Sequence, residues 1–547
     1  GLRSMMHGGY AFMNDLIIIQ TTQGLIRYIE SQLDKTECRE QGVIIGYDAR
    51  HHSDRFAKIA LSIFLDAGFK IYWFNRFAAT PFIPFGILKL KCCAGIVVTA
   101  SHNPKLDNGF KVYWNNGSQI IPPHDEGIAQ SIKQNLKPWH SQQELAKVDP
   151  FDKANSKRSQ DITDLVTSAY FKECSTRYSF ISDDDKKENG GLKVTFTPMH
   201  GIGGHWMTRC YEAFALQPFI KVPLQHEPDP EFSTVEFPNP EEGAGALKLS
   251  MQEADKNGST LILANDPDSD RLAVAEKAAN DGKEWYIYNG NEIAVLLSNW
   301  YFTNYMAANA ECDKSKLCMI ASTVSSKYLQ SMADKEGFVF VDTLTGFKWM
   351  GNTAVQMIEK GFTFLFAYEV EIGFLIGDTS FDKDGIRCAA IFNEMAIQLY
   401  KNEKKTCLQK LHELRAKYGF FEMTASYRRM DDASLMQKMR RLRNWSNDDN
   451  QSYPPSMAEF KIKRVRDVTT GYDSGEADKK SKLPIQPNQQ MITFWFDNGA
   501  TATIRNSGTE PKLKFYVETK DDKDPQVAKA LLAKMTDALL KEFMQME

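Results

Sequence analysis

Apolar runs and amphipathic stretches alternate along the first third of the chain. Val43 to Tyr47 reads as a strand, Asp54 to Asp66 as an amphipathic helix, Lys70 to Phe74 as a second strand and Ala94 to Thr99 as a third. Buried strands alternating with helices over short connections predict an α/β layered domain. A polar stretch rich in Lys and Asp from Ser182 to Gly191 interrupts the pattern and sets the first boundary, giving a domain over 1–188. The pattern resumes with a strand at Leu192 to Phe196, closes with Leu261 to Ala264, and meets a turn signal at Asp281-Gly282-Lys283, so the second domain is 189–288. A third α/β run covers 289–418, with strands near Met319 to Ala321, Phe338 to Val341 and Phe362 to Ala367, then a helical pattern from Ala389 to Tyr418. Beyond Gly419 the character changes. Phe420 to Tyr427, Met491 to Phe496 and Thr501 to Ile504 read as antiparallel strands and Pro525 to Phe543 as a terminal helix, an α+β domain over 419–547. No repeat of 20 to 50 residues is visible, and the three α/β units have the look of distant copies of one another.

A chain of 547 residues is too long for one hydrophobic core, and at roughly 150 residues per domain it predicts about four. With 42% apolar residues, 25% charged and a net charge of -4, the chain is an ordinary globular one with no general attraction to nucleic acid or anionic membrane. Nine scattered cysteines offer no Cys-x-x-Cys pair for zinc or redox chemistry and read as reduced thiols. The longest apolar runs, such as Leu16 to Ile19, fall far short of the roughly 20 residues of a membrane helix. The expectation is a cytoplasmic protein with neither signal peptide nor anchor.

Two segments carry chemistry. Val97-Val98-Thr99-Ala100 runs into Ser101-His102-Asn103-Pro104, a strand that delivers a hydroxyl to what reads as an exposed loop. Ser101 is a weak nucleophile unless activated, or unless it carries a phosphoryl group, and His102 and Lys111 supply nearby charge. Taken alone, the same four residues also make an ordinary Asx-type turn. Downstream, Leu261 to Asn265 runs into Asp266-Pro267-Asp268-Ser269-Asp270-Arg271. An EF-hand is excluded, because its sixth and twelfth positions hold Arg271 and Lys277 in place of Gly and Glu. In an extended segment the three alternate carboxylates point one way and converge on one hard cation, with Mg²⁺ favoured by oxygen-only ligands. Solvated loop carboxylates, or an aspartyl phosphatase with Asp266 as nucleophile, fit the triplet alone.

Near the end, Arg505-Asn506-Ser507-Gly508-Thr509 with Lys512 and Lys514 presents amides, hydroxyls and cations to one anion, or else is a plain Ser-Gly turn on a basic edge. The glycines of His200-Gly201-Ile202-Gly203-Gly204-His205 do not make a dinucleotide fingerprint, since Trp206 holds the third glycine's place, and no Walker loop exists. The Gly-x-Ser-x-Gly elbow is absent as well. Serine with a hard-cation site points to phosphoryl transfer.

With Gly1-Leu2-Arg3, Thr99 to Pro104, Asp266 to Arg271, Thr345-Gly346-Phe347-Lys348, Lys383-Asp384-Gly385 and Arg505 to Thr509 in this order, the chain resembles the α-D-phosphohexomutase superfamily. Asn14-Asp15-Leu16, Gln20 to Gly24, Pro228-Asp229-Pro230-Glu231-Phe232 and Arg466 to Asp473 are similar to its phosphoglucomutase-2/phosphopentomutase branch. The resemblance implies three similar α/β domains and a C-terminal α+β domain around a central cleft. It implies that Ser101 is the phosphoserine, that His102, Lys111, Arg3 and Lys383 assist catalysis, and that Ser101, Asp266, Asp268 and Asp270 hold Mg²⁺. Thr345, Gly346, Glu369, Arg271, Arg505, Ser507, Gly508, Thr509 and Lys514 would bind substrate.

The implied activity is an intramolecular phosphotransfer between sugar 1- and 6-phosphates, or pentose 1- and 5-phosphates, through a sugar bisphosphate such as glucose 1,6-bisphosphate. A bisphosphate synthase on the same scaffold, or a non-catalytic relative, is the alternative. Small phosphosugars are the expected partners, with no nucleic acid and no membrane, and the chain is expected to be a monomer or weak dimer. Two departures stand out. The sugar loop reads Glu369-Val370-Glu371 with an extra carboxylate, and the chain starts inside the first motif, so residues before Gly1 are expected to be missing.

Overall fold

The computed structural model describes residues 1–145, 157–278, 282–446, 452–507 and 512–546. They form two compact units, one of 1–321 with 346–411 and one of 322–345 with 412–547. Asp281 of the expected turn lies outside the described residues.

In the first unit, β1 (Leu2–Met5), β2 (Val43–Tyr47), β3 (Ile71–Trp73), β4 (Ala94–Val98), β5 (Asp107–Trp114) and β6 (Ser159–Asp161) form one sheet in the order β1-β5-β4-β2-β3-β6. β2 and β4 are buried throughout and parallel to each other, as expected for unbroken apolar runs covered on both faces. Helix Ser53–Asp66 contributes Phe56, Ala57, Ala60 and Phe64 to their core. The second sheet is β11-β10-β9-β7-β8, from β7 (Val194–Thr197), β8 (Ile220–Lys221), β9 (Leu261–Ala264), β10 (Ala273–Ala278) and β11 (Glu284–Ile287). Further on, β12 (Leu317–Ser322) runs parallel to β14 (Thr363–Glu369), which pairs antiparallel with β15 (Gly373–Ile376). β13 (Val339–Thr343) falls in the second unit.

One device recurs three times in the first unit. A buried strand paired on one side with a parallel neighbour turns back into an antiparallel strand: β4 into β5, β9 into β10, β14 into β15. The three returns carry Ser101, the Asp266–Asp270 triplet and, at the end of β14, Glu369. Such strand ends are where open α/β sheets place ligands.

The second unit is built on β16 (Phe420–Arg429), β17 (Ser456–Met457), β18 (Phe460–Asp467), β19 (Tyr472–Asp473), β20 (Met491–Phe496), β21 (Thr501–Asn506) and β22 (Lys512–Asp521). Their order is β16-β22-β21-β20-β18-β17, with β19 on β18, and the pairs along it are antiparallel. Met535 and Leu539 of the terminal helical segment pack on this sheet with Phe494, Ile504 and Phe515.

Two expected elements differ. The continuous helix over 389–418 is two helices, Gly385–Gln398 and Cys407–Tyr418, separated by a wide turn that ends at Lys404 with φ +55°. The restart is signalled by a Thr406/Gln409 capping box, in which Thr406 Oγ1 accepts from the Gln409 N–H and Gln409 Oε1 accepts from the Thr406 N–H. The polar break at 182–191 contains a short helix, Asp183–Glu188, docked by a buried Lys186–Glu394 ion pair at 3.0 Å. Among the described residues, no helix is long and apolar enough to cross a membrane.

Candidate active site

Ser101 follows β4 by three residues and is buried at 3% exposure, so the expected exposed loop is instead covered. The cover comes from the acidic turn after β9, onto which the serine folds: its Oγ donates to Asp266 Oδ2 at 2.7 Å and lies 3.1 Å from His102 Nδ1. Ser101 holds φ +52°, a left-handed conformation that costs a non-glycine residue about 1–2 kcal/mol. Thr99 Oγ1 supports it by accepting the Ser101 N–H at 2.9 Å.

The Asp266–Arg271 segment is not extended. Ser269 has φ +63° and its N–H donates to Asp266 O at 2.9 Å, so the three carboxylates converge around a tight turn and not by strand alternation. One oxygen from each of Asp266, Asp268 and Asp270 lies within 4.8 Å of the other two. Thr80 Oγ1 and Lys111 Nζ both donate to Asp268 Oδ2 at 2.7 Å, and Lys111 also reaches Asp270 Oδ2 at 3.1 Å. Asp268 Oδ1 and Asp270 Oδ1 are buried without a hydrogen-bond partner. Two orphaned carboxylate oxygens beside a third carboxylate and a serine hydroxyl suit a hard cation with oxygen ligands.

Around the triplet sit Lys383, 3.3 Å from Asp270, 3.7 Å from Glu369 and 3.9 Å from Asp382, and Arg271, whose Nη1 donates to Glu241 Oε2 at 3.0 Å. Burial works against the charge on Lys383, but Asp270, Asp382 and Glu369 outweigh it and hold the amine well above its usual range. Lys111 is raised likewise by Asp268 and Asp270 against the effect of burial. Both are therefore fixed cations, suited to donating hydrogen bonds and not to acting as bases.

Burial, then repulsion from Asp268 and Asp270, pushes the Asp266 carboxyl well above the usual range. Asp268 and Asp270 are lowered despite burial, Asp268 chiefly through Lys111 and Asp270 through Lys111, Lys383 and Arg271. Burial, with Glu371 adding to it and Lys383 opposing, raises Glu369 to about 7. Burial and the nearby Arg271 and Arg3 hold His102 neutral. Lys111 and Lys383 thus lie against a crowd of buried carboxylates (Asp266, Asp268, Asp270, Glu369 and Asp382), and the two that burial raises, Asp266 and Glu369, mark where positive charge runs short.

Several residues of this site do not stand out in the sequence. Arg50, fully buried, donates to the carbonyls of Ser101, Asn103 and Pro104 at 2.5, 2.6 and 2.8 Å and shapes the whole serine loop. Thr80 clamps Asp268 twice, through its hydroxyl and through its N–H to Asp268 O at 3.0 Å. Gly201, part of a glycine cluster that makes no dinucleotide loop, lets the acidic turn pack closely, since a Cβ there would lie 2.3 Å from Pro267 Cα. The signal available was the Asp-x-Arg after β2 and the glycine itself; nothing local distinguishes Thr80. Arg3, at the exposed edge of the site, donates to Asn103 Oδ1 at 3.1 Å.

Gly346 opens helix Phe347–Glu359 in the first unit with φ +102°, a conformation that glycine adopts without penalty. Thr345 belongs to the second unit, where its Oγ1 accepts from Arg505 Nη1 at 3.1 Å. Arg505 on β21 sits directly opposite Lys514 on β22, so both basic side chains leave the same face of the sheet. Ser507 continues β21, its N–H donating to Lys512 O at 2.9 Å. Gly508 and Thr509 lie outside the described residues.

Three α/β domains and a C-terminal domain, with a serine hydroxyl folded onto a carboxylate cluster, define the architecture of a phosphosugar mutase. Family profiles for phosphoglucomutase/phosphomannomutase match the chain in order: α/β/α domain I at residues 1–138, domain II at 168–281, domain III at 289–418 and the C-terminal domain at 459–534. The chain belongs to the phosphoglucomutase/phosphomannomutase family. It is 44% identical to the phosphopentomutase of Homo sapiens, covering 100% of this chain and 88% of that protein. It is 39% identical to the glucose 1,6-bisphosphate synthase of Homo sapiens, covering 100% and 87%. With the phosphoribomutase of Saccharomyces cerevisiae it shares 37% identity over 98% and 88%. Among solved structures, pp63/parafusin, a phosphoglucomutase from Paramecium, aligns with a TM-score of 0.66 at 17% identity, covering 98% of this chain and 94% of that one, a likeness of fold.

Proposed function

We propose that the protein is a sugar-phosphate mutase that moves a phosphoryl group between two hydroxyls of one sugar, with Ser101 as the carrier. The observation that supports this most is the Ser101 Oγ donating to Asp266 Oδ2 at 2.7 Å, at the rim of a three-carboxylate cluster with orphaned oxygens. Phosphorylated Ser101 gives its phosphoryl group to a free sugar hydroxyl, breaking the P–Oγ bond and forming a sugar bisphosphate. The bisphosphate turns over and returns its other phosphoryl group to Oγ.

Asp266, Asp268, Asp270 and Ser101 would hold Mg²⁺, which when bound neutralises charge on the transferring group. Lys111 and Lys383 remain cations beside it, and neutral His102 keeps a hydrogen bond at Oγ. Glu369, ionised above about pH 7, accepts hydrogen bonds from sugar hydroxyls. Arg505, Ser507, Gly508, Thr509 and Lys514 would grip the phosphate that does not react, and Thr345, Gly346 and Arg271 the sugar end. Positioning and charge neutralisation supply most of the rate, as a loose phosphoryl transition state requires. Free thiols at all nine cysteines suit a reducing, cytoplasmic setting.

Pentose phosphates are the favoured substrates, on the 44% identity to a phosphopentomutase; the 39% identity to a glucose 1,6-bisphosphate synthase supports a second reading, in which an acyl phosphate charges Ser101 and the bisphosphate is released. Product assays with ribose 1-phosphate, glucose 1-phosphate and 1,3-bisphosphoglycerate separate the two. Isomerisation of ribose 1-phosphate is the expected result. Failure to isomerise either sugar phosphate removes the mutase reading.

A further inference from the structure

The Pro228–Phe232 segment lies in the second α/β domain, yet it reaches the serine loop of the first. Asp229 stiffens it, accepting the Glu231 N–H at 2.9 Å and the Ser233 N–H at 3.1 Å. Phe232, 4% exposed and itself at φ +47°, lays its ring against the Arg50 guanidinium, 4.9 Å from centroid to carbon. Glu231 pairs with Lys105, on the serine loop, at 2.7 Å and with His51, beside Arg50, at 2.6 Å.

On its other side Arg50 is held by Asp48 at 3.3 Å, and its two terminal nitrogens spread over the carbonyls of Ser101, Asn103, Pro104 and Asp107, the last at 3.3 Å. A planar five-donor fork is what this set of carbonyls needs, and a lysine amine cannot reproduce it. The left-handed Ser101 is a conformation that persists only when its surroundings over-determine it. Arg50 provides that constraint from inside the loop, and the Pro228–Phe232 strap holds Arg50.

We propose that Arg50, clamped by Phe232 of a strap that Glu231 ties to Lys105 and His51, is a positioning residue that keeps the Ser101 loop in the conformation from which phosphoryl transfer occurs. The inference rests on the reading of Ser101 as the phosphoryl carrier. It makes the second domain a contributor to nucleophile geometry as well as to the acidic cluster.

The test uses the full chain, charged with labelled glucose 1,6-bisphosphate. Arg50→Lys keeps a cation beside Asp48 and removes the fork. Phe232→Leu keeps apolar cover and removes the aromatic face. Misplacement of a reacting group by about 1 Å costs on the order of 100-fold, so Arg50→Lys is expected to lose roughly that much in kcat with KM for the sugar phosphate nearly unchanged. Loss of a buried cation–π contact predicts about a 10-fold fall for Phe232→Leu, again in kcat. Arg50→Met should lie below Arg50→Lys.

If Arg50→Lys does not fold, Phe232→Leu carries the test alone. Wild-type protein labelled on Ser101, with full kcat in the foldable variants or with the loss confined to KM, overturns the clamp while leaving the carrier reading intact. Wild-type protein that takes no label on Ser101 overturns the carrier reading, and the clamp with it.

Discussion

Lys111→Met tests the electrostatics of the acidic turn directly. The amine sits 2.7 Å from Asp268 and 3.1 Å from Asp270, and both carboxylates are buried. Burial and their charge already push the neighbouring Asp266 carboxyl well above the usual range, so removing Lys111 leaves the cluster shorter still of positive charge. Breaking a buried pair by deleting one partner costs about 3–5 kcal/mol, because the other charge stays buried and uncompensated. Methionine fills a similar volume, so little of this arises from a cavity. In a urea titration with chelator present, the transition of the first unit should move down by that amount. With Mg²⁺ at about 100 times its Kd the wild type gains about 2.7 kcal/mol by mass action. The gap between variant and wild type should then narrow, since a bound cation replaces the missing charge. A loss below about 1 kcal/mol, the scale of an exposed pair, or a gap that Mg²⁺ leaves unchanged, refutes the charge accounting.

Three other sites give further expectations. Ser101→Gly should be more stable than Ser101→Ala by about 0.5–1 kcal/mol, because both lose the bond to Asp266 but only glycine relieves φ +52°; equal melting would remove the strain argument. Glu369, raised to about 7 chiefly by burial, should give kcat/KM a limb that rises with pH through that value as the carboxylate forms, and Glu369→Gln should flatten it; a limb that survives assigns the titration elsewhere. In the second unit, burial raises Glu518 to about 7, with the Lys327 N–H donating to one of its oxygens at 2.9 Å. The folded state binds this proton more tightly than the unfolded chain, so the unit should lose on the order of 3 kcal/mol as pH rises from about 4.5 to 7. Glu518→Gln should be level over that range, and a parallel pH curve in the variant would count against it.

Much of this chemistry is visible in the sequence because apolar strands deliver it to their ends. Val97-Val98 and Leu261 to Ala264 are unambiguous buried strands, and each gives way to an incongruously polar segment. Geometry past the strand end is not legible in the same way. Alternation along the chain predicts that Asp266, Asp268 and Asp270 converge, whereas the structure achieves it through a turn at Ser269, a positive-φ serine that no propensity announces. The burial of Ser101 depends on Arg50 and Asp266, one 51 and the other 165 positions away, and no local pattern encodes a contact across that separation. Thr80 is hidden for the same reason: its partner is Asp268, 188 residues downstream. The helix break before Cys407 is different, since the Thr406-x-x-Gln409 box is present to be read and the helical periodicity on either side masks it.

The central claim is that Ser101 lends and reclaims the phosphoryl group. Rapid quenching of enzyme mixed with phosphorus-labelled glucose 1,6-bisphosphate, followed by peptide mapping, measures this most directly. The account predicts acid-stable label on the peptide containing Ser101, appearing at least as fast as turnover and chased onto unlabelled sugar monophosphate. Label that forms instead as a hydroxylamine-labile acyl phosphate at Asp266, with Ser101→Ala fully active, contradicts it.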